Sequence, residues 1–135
     1  MGHRKSRLIG LSLVECMVAL SIVAVLASMA LPSYQQQLVK SRRAEAVAAL
    51  SQLQMAQEAF RAQHGSYALQ LQGLVGLTPE LQHYRLVLAS AHAQGYVARA
   101  TARQASALSG GCQELTLTVL DGVARHGPHD ACWEG

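Results

Sequence analysis

Apolar and polar positions divide the chain into three stretches with different patterns. In the first, apolar residues run almost unbroken for 21 positions, from Leu11 to Leu31. A helix of about 20 apolar residues is long enough to cross a bilayer, so this pattern predicts a membrane-spanning helix. One carboxylate, Glu15, interrupts the run, at a cost of roughly 2.5–3.5 kcal/mol on insertion scales. A charge retained at that cost indicates a functional role and a partner for Glu15.

The second stretch has the pattern of an amphipathic helix. Its apolar residues recur at three- and four-residue steps, as on one face of a helix: Val39, Ala46, Ala49, Leu50, Leu53, Ala56 and Phe60. The polar side chains that lie largely off this stripe are Arg42, Arg43, Gln54, Gln57, Glu58 and Arg61. Gly65, directly after His64, is a typical C-terminal cap. We therefore predict one long helix from about Leu11 to Gln63, with a kink or local melting at Pro32, which lacks a backbone donor.

The third stretch predicts a connecting loop followed by a small sheet. Glycine and proline punctuate residues 66–82, and beyond them apolar and polar residues alternate as in half-buried strands. The apolar positions are Tyr84, Leu86, Leu88, Tyr96, Ala98, Ala100, Leu115, Leu117 and Val119, with Arg85, Arg99 and Thr101 on the opposite side. Turns are predicted at Ala93-Gln94-Gly95 and at Asp121-Gly122, the latter before a short fourth strand from Val123 to Arg125.

Together these stretches predict an α+β fold. Its long N-terminal helix has a transmembrane first half and an amphipathic second half, and the second half packs on an antiparallel sheet of three to four strands. The length of 135 residues allows one domain beside the apolar helix.

The net positive charge of the chain comes from its first ten residues. The formal net charge is +3, and the first ten residues hold Arg4, Lys5 and Arg7 with no acid. The remaining residues carry eight Lys or Arg against eight Asp or Glu. This distribution favours a cytoplasmic basic flank on a membrane segment over a nucleic-acid surface.

Two of the three cysteines bracket the last polar segment. The separation of Cys112 and Cys132 fits a disulfide in an oxidising compartment, which would contribute about 3 kcal/mol through chain entropy. Two free thiols in a cytosolic protein are the alternative. A zinc site has little support because His126 and His129 do not complete a four-ligand pattern.

No set of residues at a recognisable spacing indicates catalysis. We expect no enzyme activity, no cofactor, no metal and no small-molecule substrate. Arg125, His126 and His129 could touch an acidic partner or DNA, although a few solvated charges are the more frequent explanation of such residues.

The basic leader MGHRKSRLIG ends in Gly10, before the apolar run. A conventional secretory signal is cleaved after its apolar core, and Ala27-Ser28-Met29-Ala30 could imitate such a site. Cleavage after Gly10 would instead leave the apolar helix on the mature protein.

The segment from Gly10 to Glu15, GLSLVE, resembles the leader junction of type IV pilins and pseudopilins, with the same spacing from Gly to Glu. Pro32 falls where that family has a helix-weakening proline. The match extends through SRRAEAVAALSQLQMAQEAFRAQHGSYA and the closing GGCQELTLTVLDG...ACW, which is similar to Gram-negative minor pilins. The chain departs from the pattern at Leu11, where most members carry Phe, and in QASALSGGC, where many relatives place an acid near the cysteine.

The resemblance implies a processed membrane precursor. A prepilin peptidase would remove residues 1–10 between Gly10 and Leu11, and Leu11 would be N-methylated. Residues 11–32 would form the transmembrane and fibre-core helix, and residues 33–135 a periplasmic domain that includes the disulfide-bounded C-terminal region. Glu15 would pair with the terminal ammonium of an adjacent subunit or of its own helix, setting the register of assembly.

The implied function is that of a structural subunit, a minor pilin of a type IV pilus, supporting pilus biogenesis, adhesion, twitching motility or DNA uptake. Its implied partners are other pilin subunits, prepilin peptidase, the assembly platform and ATPase, and inner-membrane lipid. Its location would be the inner membrane and then the fibre at the cell surface. A type II secretion pseudopilin, a subunit that binds duplex DNA in a salt-dependent way and a signal-anchored periplasmic enzyme are the competing interpretations.

Overall fold

The computed structural model describes Gly10, residues 12–104 and residues 111–134. The predictions for residues 1–9, for Leu11 and for residues 105–110 therefore lie outside the described residues. The chain divides into two compact units, residues 1–35 and residues 36–135, and each is presented by itself.

A single helix, α1, runs from Leu13 to His64. The predicted bounds, Leu11 and Gln63, are confirmed to within two residues. Pro32 lies inside α1, where it has no N–H to donate to the carbonyl of Ser28. The kink at Pro32 stays a prediction.

In the first unit, the large apolar side chains of α1 are exposed. They include Leu13, Val14, Val18, Leu20, Ile22, Val23, Val25, Leu26 and Leu31. Among the described residues, α1 is the one helix long and apolar enough to cross a bilayer, by length and composition.

In the second unit, the apolar stripe of α1 is buried. Its members Ala46, Ala49, Leu50 and Leu53 are almost fully covered. The helix ends as predicted, because Gly65 adopts a positive φ of 76° and donates its N–H to the carbonyl of Arg61 at 2.8 Å. The prediction that Gln57 lies off this stripe is wrong: its side chain is fully buried.

The cause is a pair of hydrogen bonds to the loop that follows α1. Gln57 Nε2 donates to the Ala68 carbonyl at 3.1 Å, and the Ala68 N–H donates to Gln57 Oε1 at 2.8 Å. Both polar atoms of the amide are thus satisfied within the interior. The rest of the loop holds only short structure, a 3₁₀ turn from Leu71 to Gly73, as expected.

The sheet is a four-stranded antiparallel meander in the order β1-β2-β3-β4. The strands are β1 (Tyr84–His92), β2 (Gly95–Ala102), β3 (Glu114–Leu120) and β4 (Val123–Gly127). The fourth strand ends two residues later than predicted. Asp121 and Gly122 form the turn between β3 and β4 with positive φ values of 51° and 81°, the conformation that Asp-Gly favours in two-residue hairpins.

The inner face of the sheet and the α1 stripe form the core. Its sheet members are Tyr84, Leu86, Tyr96, Ala98, Ala100, Leu115, Leu117 and Val119, as the alternation predicted. Two backbone hydrogen bonds join the neighbouring turns at one end of the core: Tyr67 N–H to the Ala93 carbonyl at 3.3 Å, and Asp121 N–H to the Gln94 carbonyl at 2.9 Å. The hairpin turns are therefore held against each other and against the start of the loop.

Candidate functional site

The outer face of the sheet gathers arginines from three strands. Directly paired residues of antiparallel strands point to the same face. One row across the sheet is Val87, Arg99, Thr116 and Gly127, and the next is Ser90, Val97, Thr118 and Arg125. Arg85 lies beside Thr101 and Glu114 on the same face. We call this surface, defined by Arg85, Arg99, Arg125 and the hydroxyls of Ser90, Thr101, Thr116 and Thr118, the arginine face.

The guanidinium groups of the arginine face remain accessible. Arg85 Nε lies 2.9 Å from Glu80 Oε1, and Arg99 Nε lies 3.7 Å from Glu114 Oε1. These pairs are about half exposed, so they hold the arginines only weakly. Arg125 is exposed and forms no hydrogen bond or ion pair with the described residues. Its charge is therefore free to meet an anion.

A disulfide joins Cys112 to Cys132, and this prediction is confirmed. The alternative of two free thiols is excluded in this structure. His129 Nε2 lies 3.5 Å from Cys132 Sγ, which brings three potential metal ligands together. The two sulfur atoms are bonded to each other, so they are not available as the thiolates that a zinc ion requires.

The disulfide-bounded segment returns onto the sheet through Trp133. Its indole Nε1 donates to the Gly127 carbonyl at 2.9 Å, and its ring stacks on His126 with centroids 4.1 Å apart. Arg43 of α1 adds a hydrogen bond to the Ala131 carbonyl at 3.0 Å. Trp133 is therefore partly buried and packs against the core.

The structure separates the three residues that the sequence offered as a contact for an acidic partner. Arg125 pairs with Thr118 on the outer face, whereas His126 pairs with Leu117 on the inner face. His129 lies beside the disulfide. Only Arg125 therefore joins the arginine face.

Two buried tyrosines differ in how their hydroxyls are satisfied, and the apolar pattern gave no signal for this difference. Tyr67 donates its hydroxyl to Glu58 Oε1 at 2.8 Å and accepts a hydrogen bond from Arg61 at 3.0 Å. Burial, and then the hydrogen bond to Glu58, raise the pKa of Tyr67. The buried Tyr96 hydroxyl has no partner among the described residues, and burial raises its pKa further.

Glu15 lies in the first turn of α1 and is exposed. A carboxylate is favoured there by the positive end of the helix. Glu15 forms no ion pair with the described residues of its own chain. The cleavage site at Gly10 and Leu11, the methylation of Leu11 and the assembly role of Glu15 stay predictions.

These features define a class of protein. A helix with an exposed apolar first part and a second part packed on an antiparallel meander, with a disulfide near the C-terminus, is the architecture of a type IV pilin-like subunit. The family model described as "Type IV minor pilin ComP, DNA uptake sequence receptor" matches residues 32–116, and the chain belongs to this family. Comparisons with curated proteins and with solved structures find no match.

Family membership decides between several of the interpretations above. The chain is a type IV minor pilin, which favours the pilus over the type II secretion pseudopilin. It is a structural subunit and not an enzyme. Its family places it in the membrane and the pilus, with other pilins as partners. The family's description also supports DNA as a binding partner, which the sequence alone did not favour.

Proposed function

We propose that this chain is a type IV pilus subunit that holds duplex DNA on its arginine face. The observation that carries the proposal is the alignment of Arg85, Arg99 and Arg125 on the one face of the sheet that α1 leaves uncovered. The family's description as a DNA uptake sequence receptor supports DNA as the ligand.

The distribution of charge supports this surface better than the total charge does. Residues 11–135 are neutral overall, with eight Lys or Arg and eight Asp or Glu, so any surface that attracts phosphates must arise from local segregation. Glu45 accepts hydrogen bonds from the Gln82 N–H and from His83, and Glu58 accepts one from Tyr67. On the arginine face three arginines meet two glutamates, Glu80 beside Arg85 and Glu114 beside Arg99, and the charge of Arg125 is not paired with any described acid.

The spacing of the arginines suits a duplex. Arg99 and Arg125 are separated by two inter-strand steps and two residues along a strand, which amounts to about 12 Å. The major groove is also about 12 Å wide, so the two guanidiniums could reach phosphates on both of its edges. Threonine hydroxyls between them, at Thr116 and Thr118, are suitable donors to phosphate oxygens.

The proposal is tested by binding of a labelled duplex of about 20 base pairs to the full mature chain in neutral detergent. Arg99→Gln with Arg125→Gln should weaken binding about tenfold or more at about 50 mM salt, since each lost phosphate contact also lowers the salt slope by about 0.9. Lys40→Gln with Arg42→Gln removes the same number of charges from α1 and is the matched control. Equal binding by the double variant and the control would contradict the arginine face as the site.

We also propose that the N-terminal segment acts as the family resemblance implies. The precursor would be a single-pass inner-membrane protein with residues 33–135 in the periplasm, and the leader would be removed after Gly10. The liberated, methylated ammonium of Leu11 would then pair with Glu15 of a neighbouring subunit. In a water-free fibre core an unpaired carboxylate is costly, so this pair would favour one axial offset over others.

The test of this assembly role is Glu15→Val. We expect unchanged membrane insertion and leader cleavage, because an apolar residue suits the bilayer, but a large loss of the subunit from sheared pili. Glu15→Asp, which keeps the charge, is the control. Intact mass and N-terminal sequencing under non-reducing conditions check cleavage, methylation and the disulfide together. Normal incorporation of the Glu15→Val variant would contradict the role of Glu15 in register.

A further inference from the structure

At one end of the arginine face, the next row across the sheet has no arginine and carries two exposed apolar side chains. Pairing aligns His92, Gly95, Leu120 and Val123 in this row. Leu120 is 53% exposed and Val123 is 61% exposed, whereas Val119, which precedes Leu120 and points to the inner face, is buried. We call His92, Leu120 and Val123 the hairpin-end patch.

The hairpin-end patch is continuous with the arginine face. Val123 and Arg125 are two residues apart on β4 and point to the same side, about 7 Å from each other. Leu120 stands in the same relation to Thr118 on β3. A ligand that contacts the guanidinium of Arg125 therefore also meets the apolar side chains of the patch.

The backbone holds the patch in place. A Cβ at Gly95 would lie 2.5 Å from the Val119 carbonyl oxygen, 3.1 Å from His92 Cε1 and 3.2 Å from Leu120 Cδ1. The absence of a side chain at Gly95 thus allows His92 and Leu120 to approach each other across β2. The hydrogen bond from Asp121 N–H to the Gln94 carbonyl fixes the tip of the β3–β4 hairpin. Such a patch loses little conformational entropy on binding.

We propose that the hairpin-end patch reads base identity in the bound duplex by apolar contact with thymine methyl groups, while the arginine face holds the phosphates. This inference rests on the proposed DNA binding. Phosphate contacts position a protein without carrying sequence information, and sequence is read at base edges. In the major groove the thymine C5 methyl is the apolar feature of the base-pair edges, and small aliphatic side chains contact it. Arg125, which adjoins the patch, favours DNA over a second pilin copy as the occupant, because an anionic ligand complements its charge.

The experiment measures sequence discrimination separately from affinity. The full mature chain in neutral detergent is used to enrich duplexes from a random-sequence pool, and the enriched duplex is compared with a shuffled duplex of the same composition. In the Leu120→Ala/Val123→Ala variant the affinity ratio between these two duplexes should fall about tenfold, while the affinity for the shuffled duplex changes less than about twofold.

Val87→Ala removes another outer-face apolar side chain, two rows away, and is the matched control. Val123→Thr, which keeps the shape of valine, is a second variant that preserves the fold and should lose part of the ratio.

Replacing thymine by deoxyuridine in the enriched duplex removes the methyl groups and should reproduce the loss for the unmodified chain. It should have little further effect on the Leu120→Ala/Val123→Ala variant, because the contact is already absent. An unchanged ratio in the variant, an unmodified chain that enriches no sequence, or insensitivity to deoxyuridine would each overturn the inference and leave DNA binding standing. A chain that binds neither duplex at low salt would instead overturn the proposed function. A variant that binds DNA normally but is missing from pili would assign the patch to contacts between subunits and overturn the inference as well.

Discussion

The two parts of α1 are both rich in apolar residues, yet they bury them differently. In residues 13–35 the large apolar side chains are exposed, whereas in residues 36–64 the stripe through Leu50 and Leu53 is covered by the sheet of the same chain. A contiguous apolar surface of this size on one chain marks a place where something else binds. The first part therefore depends on a bilayer or on neighbouring subunits, and the second part on the fold itself.

The sharpest test of this contrast is truncation of one leucine in each part. Leu50→Ala should lower the free energy of unfolding by about 2–5 kcal/mol, because Leu50 is fully buried and its loss leaves a cavity. Leu20→Ala, at an exposed position of the first part, should change it by less than about 0.5 kcal/mol in detergent. Denaturant unfolding followed by the fluorescence of Trp133, the only tryptophan, reports on the second part. Equal losses for the two variants would remove the contrast.

Removal of the disulfide should affect the second part alone. Cys112→Ser with Cys132→Ser should cost about 3 kcal/mol, because the bridge spans a separation of 20 residues and its loss restores chain entropy to the unfolded state. Partition of the protein into membranes should not change. Unfolding with intact and reduced protein measures the cost, and a loss below about 1 kcal/mol would show that the segment is held by Trp133 and Arg43 instead.

The smallest expected change in the free energy of unfolding comes from removing the hydroxyl group of Tyr67 or of Tyr96, both in the second part. Tyr67→Phe should cost about 1 kcal/mol, since it removes a hydroxyl that both donates to Glu58 and accepts from Arg61. Tyr96→Phe should be neutral or stabilising, because its buried hydroxyl has no partner among the described residues. The unfolding free energies of the two variants at neutral pH check this order, and a larger loss for Tyr96→Phe would reverse it.

The pH dependence of the same variants provides a control. The pKa of Tyr96 is raised in the fold above its usual value of 10.0, so the unfolded chain loses this proton first. Ionisation of Tyr96 therefore costs the fold nothing below pH 10.0. As the pH rises from there through the folded pKa, the free energy of unfolding falls. Unfolding of the Tyr96→Phe variant should be less sensitive to alkaline pH, and an unchanged alkaline transition would contradict burial as the cause.

Alternating residues and turn chemistry made the fold predictable. Leu115, Leu117 and Val119 alternate strictly with polar residues, which predicts a strand. Asp121-Gly122 is a sequence typical of two-residue hairpin turns. Gln57 was mispredicted because the spacing of apolar residues does not show which polar side chains find hydrogen-bond partners inside the fold. Its amide is buried only because the Ala68 backbone, 11 residues later, supplies both hydrogen bonds.

The alternation of apolar and polar residues predicts only part of the arginine face. Alternation put Arg85 and Arg99 on the outer side of their strands. Whether Arg125 joins them depends on the pairing of Thr118 with Arg125, and a shift of one residue would bring His126 to the outer face instead. The two-residue turn at Asp121-Gly122 fixes this register by placing Leu120 opposite Val123, so the outer position of Arg125 follows from the turn and not from the alternation within β4.

The covalent closure between Cys112 and Cys132 has a mechanical consequence for the proposed binding of DNA at the edge of the sheet. The edge strand β4 lies inside the ring of chain that this bond closes. If a duplex binds at Arg125 as proposed, a pull on it would load β4 from its unpaired edge, where a strand separates from a sheet most easily. The sulfur bridge would pass that force to the chain just ahead of β3, so the edge could yield only by the length of slack within the ring.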